Sequence, residues 1–413
     1  MIKTTIKNYL FIASLFCVIG CDKEDSNNSD VKACFDYTPQ TELKVGDEIA
    51  FTNCSENVTE CSWSFGDGEV SNESNPKHIF QNTGDFTIKL VARNESSIDS
   101  ISKTVSIEQG YGLIKQIETP GRAKSIFKSN NYIYIADGNA GGLQIVDYSD
   151  PNAPLIIGNL DTSGDALDVV VDGNYAYIAD GELGGLQIID ISNKNSPVLV
   201  GSYNSAGQAL ELKYKDGKIY LADGFNGLNI IDVSDKQNPT FINSYIQTLP
   251  SNVPPAEVTN LFVSGNYVYI SSNTQIGLEI LDVTDLNNIV KLSSIVPANG
   301  PIIHEIMVVD NYCYASAIAG FSIINITDKS NPVLAGNYDG INNTFSLFVQ
   351  GDYLYLTDYL QGIHQVDVVE KSSPILEISY SVLSKPQDVF VENDLAFVAD
   401  FDEGIKIVKF EKY

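Results

Sequence analysis

The sequence has few of the side chains from which most catalytic and metal sites are built. Its 413 residues include three histidines, two methionines and one tryptophan. Positive charge is scarce as well: 25 Lys and Arg stand against 53 Asp and Glu, for a formal charge of −28. A surface of that sign repels phosphate backbones and anionic headgroups, which argues against nucleic acid as a partner. No Gly-x-Ser-x-Gly elbow, His-Glu-x-x-His helix or glycine-rich phosphate loop is present. The six cysteines show no Cys-x-x-Cys or Cys/His zinc spacing. What the chain does have is aromatic: 22 Tyr and 18 Phe within 43% apolar residues, a composition that favours sheet over helix.

The first residues carry Lys3 and Lys7 and then the apolar run Tyr9 to Ile19, too short to span a bilayer as a helix. This is the layout of a signal peptide. Its end, Val18-Ile19-Gly20-Cys21, resembles a bacterial lipobox, which implies cleavage before Cys21 and a diacylglycerol anchor on its thiol. The acidic start of the following tract, Asp22-Lys23-Glu24-Asp25, resembles the signal by which one Gram-negative group sends lipoproteins to the outer leaflet. These likenesses imply a bacterial outer-membrane lipoprotein facing the exterior, touching the membrane through its anchor alone. The expected organisation is a signal peptide over 1–20, an acidic linker over 21–30, a sandwich over 31–109 and a propeller over 110–413.

Between residues 31 and 109, short alternating strands such as Thr87 to Ala92 and Thr104 to Ile107 are separated by turn residues, the pattern of a small sandwich. The motifs Trp63-Ser64-Phe65-Gly66-Asp67-Gly68, Asn75 to Phe80 and Gly84 to Ile88 resemble the PKD domain, an immunoglobulin-like module common on extracellular proteins. That resemblance places His78 and Asp67 in structural positions and implies a spacer or contact module. Cys34 and Cys54 flank the first two expected strands, and a bridge between them suits a small core in an oxidising compartment. Cys61 shares the parity of Trp63 and Phe65, which suggests a buried free thiol, with pairing to Cys54 as the alternative.

From about residue 111 one pattern recurs: an apolar strand, a tight turn, Tyr-x-Tyr-Ile-Ala-Asp, a glycine turn, Gly-Leu-x-Ile-Ile-Asp, then proline and a last strand. The aligned aromatics are Tyr134, Tyr177, Tyr220, Tyr269, Tyr314, Tyr355 and Phe397, at spacings of 43, 43, 49, 45, 41 and 42 residues. Strands apolar on both parities, such as Leu186 to Ile191, need cover on both faces, as blades wedged between neighbours have. The last repeat ends after its third strand, while Leu113 to Ile117 aligns with the fourth strands of other repeats. The expectation is a seven-bladed β-propeller in which this N-terminal strand completes the final blade and removes an exposed edge. The cores Leu143-Gln144-Ile145-Val146-Asp147, Leu186-Gln187-Ile188-Ile189-Asp190 and Leu228-Asn229-Ile230-Ile231-Asp232 resemble the LVIVD repeat family.

In such a ring, the loops joining strand two to strand three and strand four to strand one share the face around the channel mouth. Asp137, Asp180, Asp223, Asp358 and Asp400 end second strands there, with Ser272 and Ala317 in the fourth and fifth repeats. They are ligand-binding candidates, or acceptors for backbone N–H groups of adjacent turns. Aligned first-strand positions read Ser125, Asp168, Glu211, Asn260, Glu305, Ser346 and Asp388. The four carboxylates, Asp168, Glu211, Glu305 and Asp388, are the weak candidates for Ca²⁺, the single ion suggested; no cofactor is otherwise implied. The long connection with Pro250, Pro254 and Pro255, together with Pro297 to Ile303, breaks the symmetry where specificity arises.

These features point away from an enzyme and towards binding or adhesion to an extracellular protein or glycan through the loop face. The alternatives are a carbohydrate-active hydrolase or lyase using the same four carboxylates, or a structural component of a surface assembly.

Overall fold

The computed structural model describes residues 30–40, 43–44, 47–80, 82, 84–107, 112–247, 256–272, 276–360, 362–381 and 383–410. The signal-peptide and linker segments, Cys21, and Pro250, Pro254 and Pro255 lie outside the described residues. Two compact units are present, Met1–Gln109 and Gly110–Tyr413.

In the first unit a three-stranded sheet (Phe35–Thr38, Glu48–Asn53, Lys77–Ile79) accompanies a four-stranded one (Val70–Ser71, Glu60–Ser64, Gly84–Arg93, Ile98–Ile107). Alternate residues of these strands form one core of Phe35, Ile49, Phe51, Trp63, Phe65, Phe80, Ile88, Leu90 and Val105. Trp63 donates its indole N–H to the Glu73 carbonyl at 2.9 Å, so the largest core side chain leaves no polar atom stranded. His78 stacks on Phe65 at 4.0 Å between centroids and bonds to Asp67 at 2.7 Å, tying the Gly66-Asp67-Gly68 turn to the opposite sheet. Cys34 and Cys54 form a disulfide at the ends of the first two strands, with Cα atoms 4.9 Å apart. Cys61 is a half-buried free thiol, its Sγ directed at the Glu73 carbonyl.

Among its described residues the second unit is all-β apart from two single helical turns, with seven four-stranded antiparallel sheets. Six are built from consecutive strands; the second, for example, is Asp168–Asp172, Tyr175–Ala179, Leu186–Asp190 and Val198–Tyr203. In the seventh, Pro386–Glu392, Leu395–Asp400 and Gly404–Lys409 are joined by Gly112–Ile117, with Ile405 opposite Ile117 and Val408 opposite Leu113. The two ends of the repeat array thus share a sheet. The aligned aromatics are buried at the centres of the second strands and pack into the clusters between sheets.

Adjacent blades are joined by a device that recurs around the unit. In five blades an aspartate closes the third strand and caps the turn that follows: Asp147, Asp190, Asp232, Asp282 and Asp367 each accept the N–H two residues on at 2.8 Å, as Asn325 does in the fifth blade at 2.9 Å. That turn presents a backbone carbonyl to the fourth strand of the preceding blade. Gly201 makes room for it, since a Cβ there would stand 2.0 Å from the Lys236 carbonyl oxygen. Where glycine is absent a donor takes its place: Asn243 Nδ2 donates to the Leu286 carbonyl at 2.9 Å and Ser293 Oγ to that of Lys329 at 2.6 Å. Lysines of the same turns cover tyrosines of the preceding blade, Lys194 over Tyr132 at 4.7 Å and Lys329 over Tyr267 at 4.9 Å.

Candidate functional site

Antiparallel order fixes which residues surround the channel mouth. In every blade the strand-two to strand-three turn and the strand-four to strand-one connection emerge at the same end, where the first strand begins.

The five aspartates that end second strands lie at this end but beneath its surface, all with 0% exposure. Asp137 accepts Thr119 Oγ1 at 2.5 Å and Gly121 N–H at 2.8 Å. Asp180 repeats this with Thr162 Oγ1 at 2.5 Å and Gly164 N–H at 2.9 Å. Asp400 holds both N–H groups of Ser384 and Lys385 and pairs with Lys406 at 3.2 Å. Asp223 accepts Asn229 Nδ2 at 2.8 Å, and Asp358 the Leu360 N–H at 2.7 Å. These carboxylates organise the connections from the inside, out of a ligand's reach. Burial raises the pKa of Asp137, Asp180 and Asp223, whereas at Asp400 the Ser384 and Lys385 donors and the Lys406 ammonium outweigh burial and lower it.

Six of the seven polar first-strand positions, all but Ser346, line a cavity of about 370 Å³. Three of the four carboxylates bond backbone N–H groups of the next blade. Asp168 Oδ2 accepts Leu212 N–H, Glu211 Oε2 accepts Leu261 N–H and Asp388 Oδ2 accepts Ile126 N–H, each at 2.9 Å. The last of these links the seventh blade to the first. Ser125 Oγ lies between two acids, 2.6 Å from Asp168 Oδ1 and 3.0 Å from Asp388 Oδ2. Ser346 Oγ donates to Asp388 Oδ1 at 2.8 Å, and Asn260 Nδ2 to the His304 carbonyl at 2.8 Å. Among the described residues no group of three or more His, Cys, Asp or Glu is placed to hold a metal ion.

Two residues further along each first strand, a second tier lines the same cavity: Phe127, Val170, Lys213, Phe262, Met307, Phe348 and Phe390. Six of the seven are apolar. The exception, Lys213, reaches up to bond Glu211 and comes within 4.0 Å of Asp168. Burial works against its charge, yet Glu211, Asp168 and Glu305 hold its pKa above the ordinary value. Burial, with Asp168 adding to it, pushes Glu211 up to about 7 despite the Lys213 contact. Glu305 is held well above the usual carboxylate range, by burial first and then by Glu211. Sequence reasoning reached the upper tier and missed the lower one, although period-two spacing from Asp168 and Glu211 leads straight to Val170 and Lys213.

Around the mouth, the connections carry exposed apolar side chains: Leu183 (81% exposed), Phe225, Ile318 and Leu360 in the turns after second strands, and Ile246, Val296 and Ile302 in the connections from fourth to first strands. Leu183 borders a cavity of about 420 Å³ lined by Thr162, Asp165, Glu182 and Gln208.

Comparison with known proteins agrees with this architecture. The LVIVD repeat matches seven times, at residues 120–162, 163–205, 206–247, 256–294, 303–340, 343–382 and 385–409. A PKD domain matches residues 34–108. Among curated proteins, "Collagenase ColA" of Clostridium perfringens (strain 13 / Type A) is 34% identical over 94 residues, 21% of this chain and 8% of that protein. The chain therefore spans a small part of that relative's length. Among solved structures, the β-propeller domain of Cps50 (Swd1) from Myceliophteria thermophila matches with a TM-score of 0.58 at 11% identity, over 73% of this chain and 100% of that one. BamB from Moraxella catarrhalis matches with a TM-score of 0.51 at 12% identity, over 78% of this chain and 91% of that one. At such identities the likeness is one of fold. The repeats cover well over half of the sequence, and the chain belongs to the LVIVD repeat family, with a PKD domain ahead of its propeller.

Proposed function

We propose that the protein is an exported, lipid-anchored surface protein whose propeller binds an extracellular protein through its loop face, with the PKD domain as spacer or additional contact. The supporting observation is the apolar rim of Leu183, Phe225, Ile318 and Leu360 with Ile246, Val296 and Ile302, exposed on the connections at this end, of which those carrying Leu183, Phe225 and Leu360 follow buried aspartates. Exposed apolar groups around a polar centre characterise protein-binding surfaces, and these residues differ from blade to blade, as a specific surface requires. A rim that is mostly aliphatic favours a protein over a glycan, which aromatic platforms serve better. Another exposed apolar set, including Leu155, Val198, Val333 and Ile375, recurs at one register of the fourth strands and serves the repeat.

Hydrolysis by a carboxylate pair has less support, because Asp168, Glu211 and Asp388 are committed to the N–H groups of neighbouring blades. Export and anchoring rest on Lys3, Lys7, the apolar run and Cys21. Radiolabelled fatty acid should enter the wild-type protein and not Cys21→Ala. For recognition, purified protein is titrated against surface-protein and glycan panels. Saturable binding to a protein, lost in a Leu183→Asp, Phe225→Asp, Leu360→Asp variant and kept in Leu155→Asp, supports the reading; equal loss in both, or turnover of a glycan, contradicts it.

A further inference from the structure

Positive charge is confined to one sector of the loop face. The connections at this end hold three basic residues in all, Arg122, Lys124 and Lys385. Arg122 and Lys124 lead into the first blade and Lys385 into the seventh, and all three gather on the Phe401 ring of the seventh. The Arg122 guanidinium stands 5.0 Å from the ring centroid, and the Lys124 and Lys385 ammonium nitrogens stand 4.4 and 5.8 Å from it. Attraction to one ring thus offsets the repulsion among three like charges. Backbone bonds fix the arrangement: Arg122 and Lys124 donate N–H groups to the Asp137 and Ala136 carbonyls at 2.9 and 2.8 Å, and Phe401 donates to the Lys385 carbonyl at 3.1 Å.

Acidic side chains leave this cluster partly unbalanced. Lys385 pairs with Asp402 at 2.5 Å, whereas among the described residues neither Arg122 nor Lys124 has a carboxylate within ion-pair distance. Burial lowers the Lys124 pKa and the Arg122 charge lowers it further, with Asp165 acting against them. An aromatic run borders the cluster: the rings of His304 and Phe345, and of Phe345 and Tyr359, are 5.4 Å apart, and Tyr359 lies within electrostatic reach of Lys385. Leu360, beside Tyr359, is 74% exposed.

We propose that the protein docked on the loop face meets this sector with an acidic segment, its Asp or Glu side chains on Arg122 and Lys124 and a flanking apolar side chain on Tyr359 and Leu360. This rests on the loop face binding a protein, and assigns that partner its charge and orientation. The planar Arg122 guanidinium offers a carboxylate two parallel donors, and Lys124 adds a second positive charge. Asp161, Asp165 and Glu182, on the connections around the second blade, repel the same segment and so fix which way it lies.

The test is fluorescence anisotropy of a dye-labelled Leu-Glu-Glu-Leu-Glu-Glu peptide and its Leu-Gln-Gln-Leu-Gln-Gln counterpart on the full-length protein, at about 20 and about 300 mM salt. Saturable binding of the glutamate peptide is expected, about tenfold tighter than the glutamine peptide and weakened about tenfold by the added salt. Arg122→Glu with Lys124→Glu should lose about tenfold or more. Lys215→Glu with Lys218→Glu, the same charge change in a hairpin at the opposite end, should stay within about twofold of wild type. Should the first pair fail to fold, Arg122→Gln alone, at an exposed position, should lose about threefold. The peptide reads the acidic contact without the natural partner, so a protein panel without a binder contradicts the docking reading and leaves the peptide result to decide this one. Equal binding of the two peptides, affinity unchanged in the Arg122 and Lys124 variants, or equal loss in the Lys215 and Lys218 variant would overturn the proposal. Heparin held by Arg122 and Lys124 while the glutamate peptide is not bound would overturn it in favour of a sulfated glycan.

Discussion

The N–H of Leu212 donates to Asp168 Oδ2 at 2.9 Å, so the first strand of one blade is bonded to a side chain of the blade before it. Ser125 on the blade before that donates to the other oxygen of the same carboxylate, at 2.6 Å. One aspartate thus connects three consecutive blades at the channel.

Replacing Asp168 by alanine would leave the buried Leu212 N–H without its acceptor, while the Ser125 hydroxyl keeps Asp388, at a cost of about 1–3 kcal/mol. Asp168→Ala should lower the thermal midpoint of the propeller, with Asp168→Asn recovering part of the loss because an amide oxygen still accepts. Differential scanning calorimetry reads both. A midpoint unchanged in the alanine variant would show that the contact carries no net stability.

The buried acids also set the sign of the pH dependence. Glu211, pushed up to about 7, and Glu305 and Asp388, also raised, have folded pKa values above the unfolded ones, chiefly because burial disfavours their charge. Their contribution is fully present below the unfolded carboxylate pKa of about 4.3 and is lost as pH rises through the folded values. The thermal midpoint should therefore fall between about pH 5 and about pH 8, with each such group contributing up to about 1.4 kcal/mol per pH unit in its own window. Asp400, lowered by its donors and Lys406, acts in the opposite sense and only below that range. Glu305→Gln should flatten the profile; a midpoint that rises with pH would reverse the assignment.

Gly201 is expected to be intolerant of any side chain, because its Cβ would meet the Lys236 carbonyl at 2.0 Å and backbone would have to move. Gly201→Val should cost about 2 kcal/mol or more, whereas the same change at the open Gly173, where nothing lies within 4 Å, acts only through its positive φ. Urea melts of the two variants compare them directly; equal losses would remove the special role of the blade-to-turn contact.

The blade count was legible because Tyr134, Tyr177, Tyr220 and their equivalents recur in sequence at nearly constant spacing, and repetition survives without knowledge of packing. The pairing of Gly112–Ile117 with Gly404–Lys409 was legible for a related reason, since one repeat lacked a fourth strand and one fourth strand lacked a repeat. The depth of the second-strand aspartates was not legible. Sequence places Asp137 and Asp180 at a strand end, but Thr119, Gly121, Thr162 and Gly164 cover them only after the preceding connection folds back. Lys213 was missed because a lysine in a strand reads as a solvated side chain until the channel gives it Glu211 and Asp168 for neighbours. The Lys194–Tyr132 contact, between residues of adjacent blades, had no local signature at all.

The channel and the apolar rim both depend on the first and last repeats meeting in one sheet. Hydrogen–deuterium exchange of the intact protein tests that meeting most directly, comparing Gly404–Lys409 with Leu186–Asp190, the same third strand in the second blade. The account predicts comparable slow exchange, because each lies between two paired strands. Rapid exchange of Gly404–Lys409 and of Gly112–Ile117, as for an unpaired edge and a free segment, would contradict it.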